Sequence, residues 1–149
     1  MPEGHQSVEQ QAISREFTFP GDSESIVAVR ESVMTFIKEN GANEGQEIDI
    51  FVALQEALAN AALHGCQNDR AKTIRCWVEI DPSAFTLIIQ DPGPGFDVAA
   101  TTTADPSVNT TEHGRGICLM RSLMDDVSYR RGGSEVRLRK LRDFPRASS

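Results

Sequence analysis

The sequence predicts an α+β fold, a two-layer α/β sandwich in which three helices cover one face of a mixed, mainly antiparallel sheet. Three observations lead there: segments that alternate apolar and polar residues, three segments with apolar residues at helical spacing, and turn chemistry between them. A chain of 149 residues is one domain in size and buries roughly two thirds of its extended surface on folding, so one core is expected. Residues 15–142 are read as that domain, with a loose N-terminal tail over 1–14 and a C-terminal tail over 143–149.

Glu16, Phe17, Thr18 and Phe19 alternate as a short strand ended by Pro20 and Gly21. Asp22 or Ser23 then offers a helix N-cap, and Ile26, Val29, Val33, Phe36 and Ile37 recur at helical spacing, so a first helix is expected over 23–39, stopping near Asn40 and Gly41. A second helix is expected over 44–63. On it Ile48, Phe51, Val52, Leu58, Ala59 and Ala62 share one face within roughly 100°, which is read as the core face. Residues 73–80 and 85–90 are rich in β-branched and aromatic side chains around an Asp81-Pro82-Ser83-Ala84 turn and predict a hairpin. Residues 98–112 carry Ala, Thr, Asp and Ser without a hydrophobic period, which marks a long loop of the kind that serves as a lid. Helix is expected to resume after Gly116 with Ile117, Met120, Leu123 and Met124 inward. A closing hairpin over 127–130 and 135–141 turns at Gly132 and Gly133.

The composition excludes several classes. No apolar run approaches the roughly 18 residues that cross a bilayer, so no membrane association is expected. The first residues lack a basic and apolar leader, and Cys66, Cys76 and Cys118 are odd in number and scattered. Both point to a reduced, cytoplasmic compartment, with the thiols as small core or surface residues. A net charge of −7 argues against nucleic acid as a direct partner. The first 64 residues hold 3 basic and 11 acidic side chains, a surplus that reads first as a solvated helix surface. Arg137, Arg139 and Lys140, alternating with Val136 and Leu138, read as the wet face of the final strand.

Three motifs can carry chemistry. Glu56, Asn60 and His64 lie four apart on the second helix, each about 40° further round, and form a polar stripe along the flank of the core face. A carboxylate and a carboxamide so placed suit a magnesium ion and its waters, because hard cations take oxygen ligands. Taken alone the stripe is the edge of an amphipathic helix, and His64-Gly65 also reads as a basic helix end followed by a C′ glycine. Asp91-Pro92-Gly93-Pro94-Gly95-Phe96-Asp97 follows an apolar strand directly. Its two glycines let backbone approach a flat ligand, and Asp91 can accept hydrogen bonds from an exocyclic amino group. Val98 stands where a dinucleotide fingerprint needs its third glycine, and no Gly-Lys-Ser/Thr follows, so neither that fingerprint nor a P-loop is present. His113-Gly114-Arg115-Gly116 opens the third helix, where glycine N–H groups and the Arg115 charge make an anion site. In this order the motifs provide for the metal, the base and the phosphates of one ligand.

As a set they resemble the GHKL ATPases, and more closely their bacterial anti-sigma-factor serine kinases of the RsbW and SpoIIAB type. Glu56 through Gly65 looks like the N box, Asp91 through Asp97 like the G1 box and Gly114 through Met120 like the G2 box, and the likeness covers residues 16–141. The resemblance implies a Bergerat-type ATP-binding fold taking ATP/ADP and Mg2+. In it Asn60 holds the metal, Asp91 reads adenine, Gly93 and Gly95 shape the base pocket, Gly114, Arg115 and Gly116 close on the phosphates, and Glu56 is the general base. It further implies a homodimer that phosphorylates a small STAS-type anti-sigma-factor antagonist and sequesters a sigma factor. The 15 residues before the first strand cannot hold a phosphoacceptor hairpin, so the acceptor is expected to act in trans. The alternative is a regulatory module that binds ATP and inhibits its partner without phosphoryl transfer.

Overall fold

The computed structural model describes residues 12–96 and 112–142, with the backbone alone at Glu112 and His113. The expected loop over 98–112 falls, but for Glu112, outside the described residues. Strand β1 runs Ile13–Pro20, followed by helix α1 (Ser23–Glu39), helix α2 (Glu44–Asn60) and a π-helical turn (Ala61–Gly65). Strands β2 (Thr73–Ile80) and β3 (Ala84–Gln90) precede helix α3 (Glu112–Leu123), and β4 (Asp126–Arg130) and β5 (Glu135–Leu141) close the chain around a 3-10 turn, Arg131–Gly133. The sheet order is β1-β2-β3-β5-β4, and every pairing is antiparallel, so the expectation of a mixed sheet is corrected.

Strand alternation explains the layer. Ile74 of β2 pairs with Phe19 of β1, Cys76, Val78 and Ile80 pair with Ile89, Leu87 and Phe85, and Ile89 and Leu87 pair in turn with Val136 and Leu138. All are buried under the helices. The opposite face carries many polar side chains, and there Arg75 pairs with Glu16 at 2.8 Å and stacks 4.7 Å over the Trp77 ring. Strand β1 begins at Ile13 and so takes in two residues of the expected tail, because its pairing with β2 continues from Pro20↔Thr73 to Ile13↔Ile80. Pro20 is tolerated on this edge strand. The Asn43 side chain and Gln46 form a reciprocal capping box at the start of α2. The first turn of α1 is capped from afar, by the Asn68 carboxamide accepting from the Ser23 N–H at 2.9 Å.

The face of α2 is where sequence and structure part. Ile50, Ala53, Leu54, Ala57, Leu58 and Ala61 are buried, whereas Ile48 is 57% exposed, Phe51 and Val52 are half-buried and Ala59 is exposed. Of the expected face only Leu58 and Ala62 point inward. The helix packs through its alanines, which let its backbone approach the neighbouring layer closely, so the larger apolar side chains lie at the periphery with Met34 of α1. The polar stripe still flanks the buried face, from its other side.

Lys140 is also not on the wet face. Its Nζ donates to Asp49 Oδ2 at 2.8 Å and to the Leu123 carbonyl at 2.6 Å, tying β5 to α2 and to the end of α3. Lys140→Met should therefore cost about 1.5–3 kcal/mol of unfolding free energy, the range for hydrogen bonds to charged groups. Urea denaturation would read this as a lower midpoint at unchanged slope, while a loss under about 0.5 kcal/mol would mark an ordinary surface pair.

Candidate functional site

A cavity of about 240 Å³ opens where the C-terminal end of α2 and the π turn meet the ends of β3 and β5. Ala57, Ala61, Ile89, Met120 and Val136 supply apolar walls, and Asn60, His64, Asp91 and Ser134 bring polar groups to them. This is below the roughly 300–1,000 Å³ of sites that enclose a drug-sized ligand, a size suited to a flat ring system with its substituents left outside.

Asp91 reaches the cavity because β3 ends one residue earlier, and β5 fixes that end: Gln90 pairs with Glu135, and the Asp91 N–H donates to the Ser134 carbonyl at 2.9 Å. The Gly93 N–H donates to Asp91 Oδ1 at 2.8 Å, which leaves Oδ2 as acceptor capacity at the cavity wall. Burial pushes the Asp91 carboxyl above its ordinary value of 3.8, and the Gly93 hydrogen bond only partly opposes this. A carboxyl is held in an apolar wall at a cost in stability, as at sites that select a ligand.

Gly95 adopts φ +79°, in the left-handed region, and its α-carbon lies against the Gly132 carbonyl, with the Phe96 N–H donating to that same oxygen at 2.9 Å. Phe96 then packs edge-on to Tyr129, with ring centroids 5.2 Å apart, so the two aromatics close one end of the cavity. Burial raises the Tyr129 phenol, which therefore stays a neutral O–H.

On the α2 side, Asn60 Nδ2 is buried without a hydrogen-bond partner. Such a group costs about 1–3 kcal/mol, and a half-turn of the carboxamide presents Oδ1 in its place. Glu56, one turn earlier, is half-buried and lies beside α3, outside the cavity wall. A side chain at Gly116 would stand 2.7 Å from Glu56 Oε1 and 3.6 Å from Asn60 Nδ2, so this glycine makes room for the stripe.

Of the residues expected from the sequence, Asn60, His64, Asp91 and Gly95 line the cavity together, and Gly93 holds Asp91. Glu56, Gly114, Arg115 and Gly116 are not in its wall. Helix α3 starts at Glu112, so Gly114 falls in its first turn and Gly116 a full turn in, where its N–H is spent on the helix; the expectation that Gly116 opens the helix is corrected. Arg115 is exposed on the same turn. Gly65 is buried in the π turn with no left-handed φ, so it is not the expected C′ glycine. Phe96, Tyr129, Gly133 and Ser134 were missed: Gly133 and Ser134 read only as a hairpin turn, and no local signal places that turn beside Asp91.

Among the described residues no three His, Cys, Asp or Glu side chains gather as a metal site. The donor set of Asn60 with Glu56 one turn away instead fits magnesium that arrives with phosphate oxygens and keeps part of its water shell. No described helix is long and apolar enough to cross a membrane.

A family profile for the histidine kinase-like ATPase domain matches residues 19–140. The chain is similar to the serine-protein kinases RsbW of Staphylococcus aureus strains JH9 and MSSA476, at 27% and 28% identity over 134 residues, covering 84% of each chain. Among solved structures it is similar to that of the RsbU and RsbW domains of Rv1364c from Mycobacterium tuberculosis. The TM-score is 0.59 at 15% identity, over 87% of this chain and 32% of the longer one. The chain thus spans about a third of that protein, and the likeness bears on fold alone.

Proposed function

The chain belongs to the histidine kinase-like ATPase domain family, and on that premise we propose that it binds ATP and transfers its terminal phosphate to a serine or threonine of a small anti-sigma-factor antagonist. The observation that carries this reading is the half-buried Asp91 carboxylate, fixed by Gly93 at a cavity whose far wall holds Asn60, with its unpartnered Nδ2. Asp91 accepts from the exocyclic amine of adenine, Phe96 and Tyr129 bound the base, and Asn60 offers its oxygen to magnesium. When bound, magnesium neutralises charge on the phosphates. Glu56 takes the proton from the acceptor hydroxyl, and Gly114 and Arg115 in the first turn of α3 meet the phosphates, Arg115 with its positive charge, while Gly116 leaves room for Glu56 and Asn60. His64 lies at the cavity mouth, where its ring N–H can donate to the nucleotide.

The same protein, as a homodimer inside the cell, sequesters a sigma factor when its antagonist is phosphorylated. The test is to incubate the chain with labelled ATP, magnesium and the co-encoded small antagonist. Label on antagonist serine or threonine is expected; ATP binding with no label on any partner would leave a regulator that inhibits by binding alone.

Asp91→Asn separates stability from recognition. Between pH 3.8 and the raised pKa of Asp91 the folded state holds a proton that the unfolded chain has lost, so stability falls as pH rises through that window and stays lowered above it. The neutral variant should therefore melt higher than wild type at pH 7, with the gap closing as pH falls towards 3.8. Its ATP affinity should drop about 10- to 100-fold, because a hydrogen bond to a charged acceptor is lost. Wild-type ATP affinity should weaken on acidification as the carboxylate is protonated, a trend absent in the variant. A variant that melts lower and binds ATP normally would remove Asp91 from the site.

A further inference from the structure

We propose that Gly65 is a positioning residue for base selection: its missing side chain is the space in which the Asp91 carboxylate stands. This rests on the reading of Asp91 as acceptor for the exocyclic amine. Within the π turn the Cys66 N–H donates five residues back, to the Ala61 carbonyl at 2.9 Å, so the turn is one residue wider than an α-helical one. That extra residue brings Gly65 against the strand end. A β-carbon at Gly65 would collide with the Asp91 carboxyl carbon and Oδ1, and lie 2.6 Å from Oδ2. On the next layer, a β-carbon at Gly93 would be 2.6 Å from the Gly65 carbonyl oxygen and 2.7 Å from its α-carbon. Gly65, the Asp91 carboxylate and Gly93 are therefore stacked at backbone distance, with the carboxylate clamped between a surface without side chain and the N–H that bonds it.

The backbone at Gly65 lies outside the left-handed region, so alanine is conformationally permitted there and the only conflict is steric. The turn cannot retreat to resolve it. Cys66 is fully buried behind Gly65, and its β-carbon would be 2.6 Å from any β-carbon at Gly21, whose own N–H is held by the Lys72 carbonyl at 2.9 Å. Two residues on, Asn68 is tied to the first turn of α1 through Ser23. Alanine at 65 must then be accommodated by Asp91 swinging off its Gly93 bond, which removes the acceptor from the cavity and leaves the cavity itself in place.

The experiment compares ATP with purine riboside triphosphate, the same nucleotide without the exocyclic amine, in magnesium-containing binding titrations on the full chain. Wild type should prefer ATP by about 10-fold or more, the size of one hydrogen bond to a charged acceptor. Gly65→Ala should lose ATP affinity until the preference is near one, with binding of the analogue changed by less than about threefold. Equal weakening of both nucleotides, with the ratio kept, would show general loosening and overturn the proposal. Asp91→Ala and the Gly65→Ala/Asp91→Ala double variant complete the cycle: with the carboxylate gone, alanine at 65 should add no further loss of affinity or melting temperature. An added loss overturns the proposal, and because the double variant lacks the clash, this comparison decides even where Gly65→Ala alone does not fold. No preference in wild type would instead overturn the assignment of Asp91 to the base, and this inference with it.

Discussion

Glu56→Gln is expected to bind magnesium-ATP as wild type does and to phosphorylate the antagonist 10²- to 10⁴-fold more slowly, the usual contribution of a general base. The variant isolates chemistry from structure for a geometric reason. Gln has the shape of Glu, so the approach of Gly116 to the Glu56 side chain is kept, and with it the packing of α3 on α2 beside Asn60. Nothing in the cavity wall changes, because Glu56 is not part of it. What is lost is the capacity to take a proton. The measurement is single-turnover transfer from labelled ATP to the antagonist, run beside an equilibrium titration of the nucleotide. Loss of rate with binding intact assigns the step to the carboxylate. Undiminished transfer would exclude Glu56 as base, and a parallel loss of binding would make it part of the nucleotide's grip. Hydrolysis in the absence of antagonist gives a further contrast, since a carboxylate that activates water loses that reaction in the same proportion.

The sheet was legible because its signal is local. Each strand alternates with period two against a covered face, and turn residues stand between 80 and 84 and between 130 and 135. The pairing of β3 with β5 has no such signal; it joins segments separated by α3 and β4, and only the burial of Leu87, Leu138 and their neighbours sets its register. The same reason divides the site. Asn60 and Asp91 are legible from within ten residues of sequence, and the structure brings them to one cavity. Tyr129 and Ser134 come from the far side of the β3–β5 contact and could not be read as site residues from their surroundings.

Size misled the reading of α2. Ranking its faces by hydrophobic bulk favours Ile48, Phe51 and Val52, whereas the packing surface is built from Ala53, Ala57 and Ala61 between Ile50, Leu54 and Leu58. Small residues carry little weight in a periodicity count but allow the closest backbone approach, and that approach is what lets the end of α2 reach the strand carrying Asp91. The π turn was invisible for a related reason, since Ala61-Ala62-Leu63-His64 has the composition of an ordinary helix end. The widening sets Gly65 against Asp91, a contact between segments far apart in sequence. The glycines of α3 show the reverse error. Gly116 has the signature of an anion-binding helix start but serves the Glu56 and Asn60 stripe by leaving it room.

Asn60→Ala should abolish magnesium-dependent ATP binding, a loss of about 100-fold or more, beyond the 10- to 100-fold typical of removing a group that only supports a metal ligand. The protein itself should not suffer. Asn60 Nδ2 is buried with no partner, so truncation removes an unsatisfied donor worth about 1–3 kcal/mol, and alanine is the better helix former by a few tenths more. The free variant is expected to melt at or above the wild-type temperature. Ligand stabilisation follows the logarithm of ligand concentration over Kd, so the melting shift produced by ATP should disappear in the variant and also in wild type with the metal chelated. Asn60→Asp supplies the counterpart, keeping an oxygen for the metal and so part of the shift. Should Asn60→Ala instead destabilise the free protein and keep the ATP shift, Asn60 would be a structural amide satisfied by water, and the metal would be held by other groups. The two measurements move in opposite directions under the two readings, because the orphaned Nδ2 donor costs stability in the empty protein, whereas the carboxamide oxygen adds stability only when metal and nucleotide are bound.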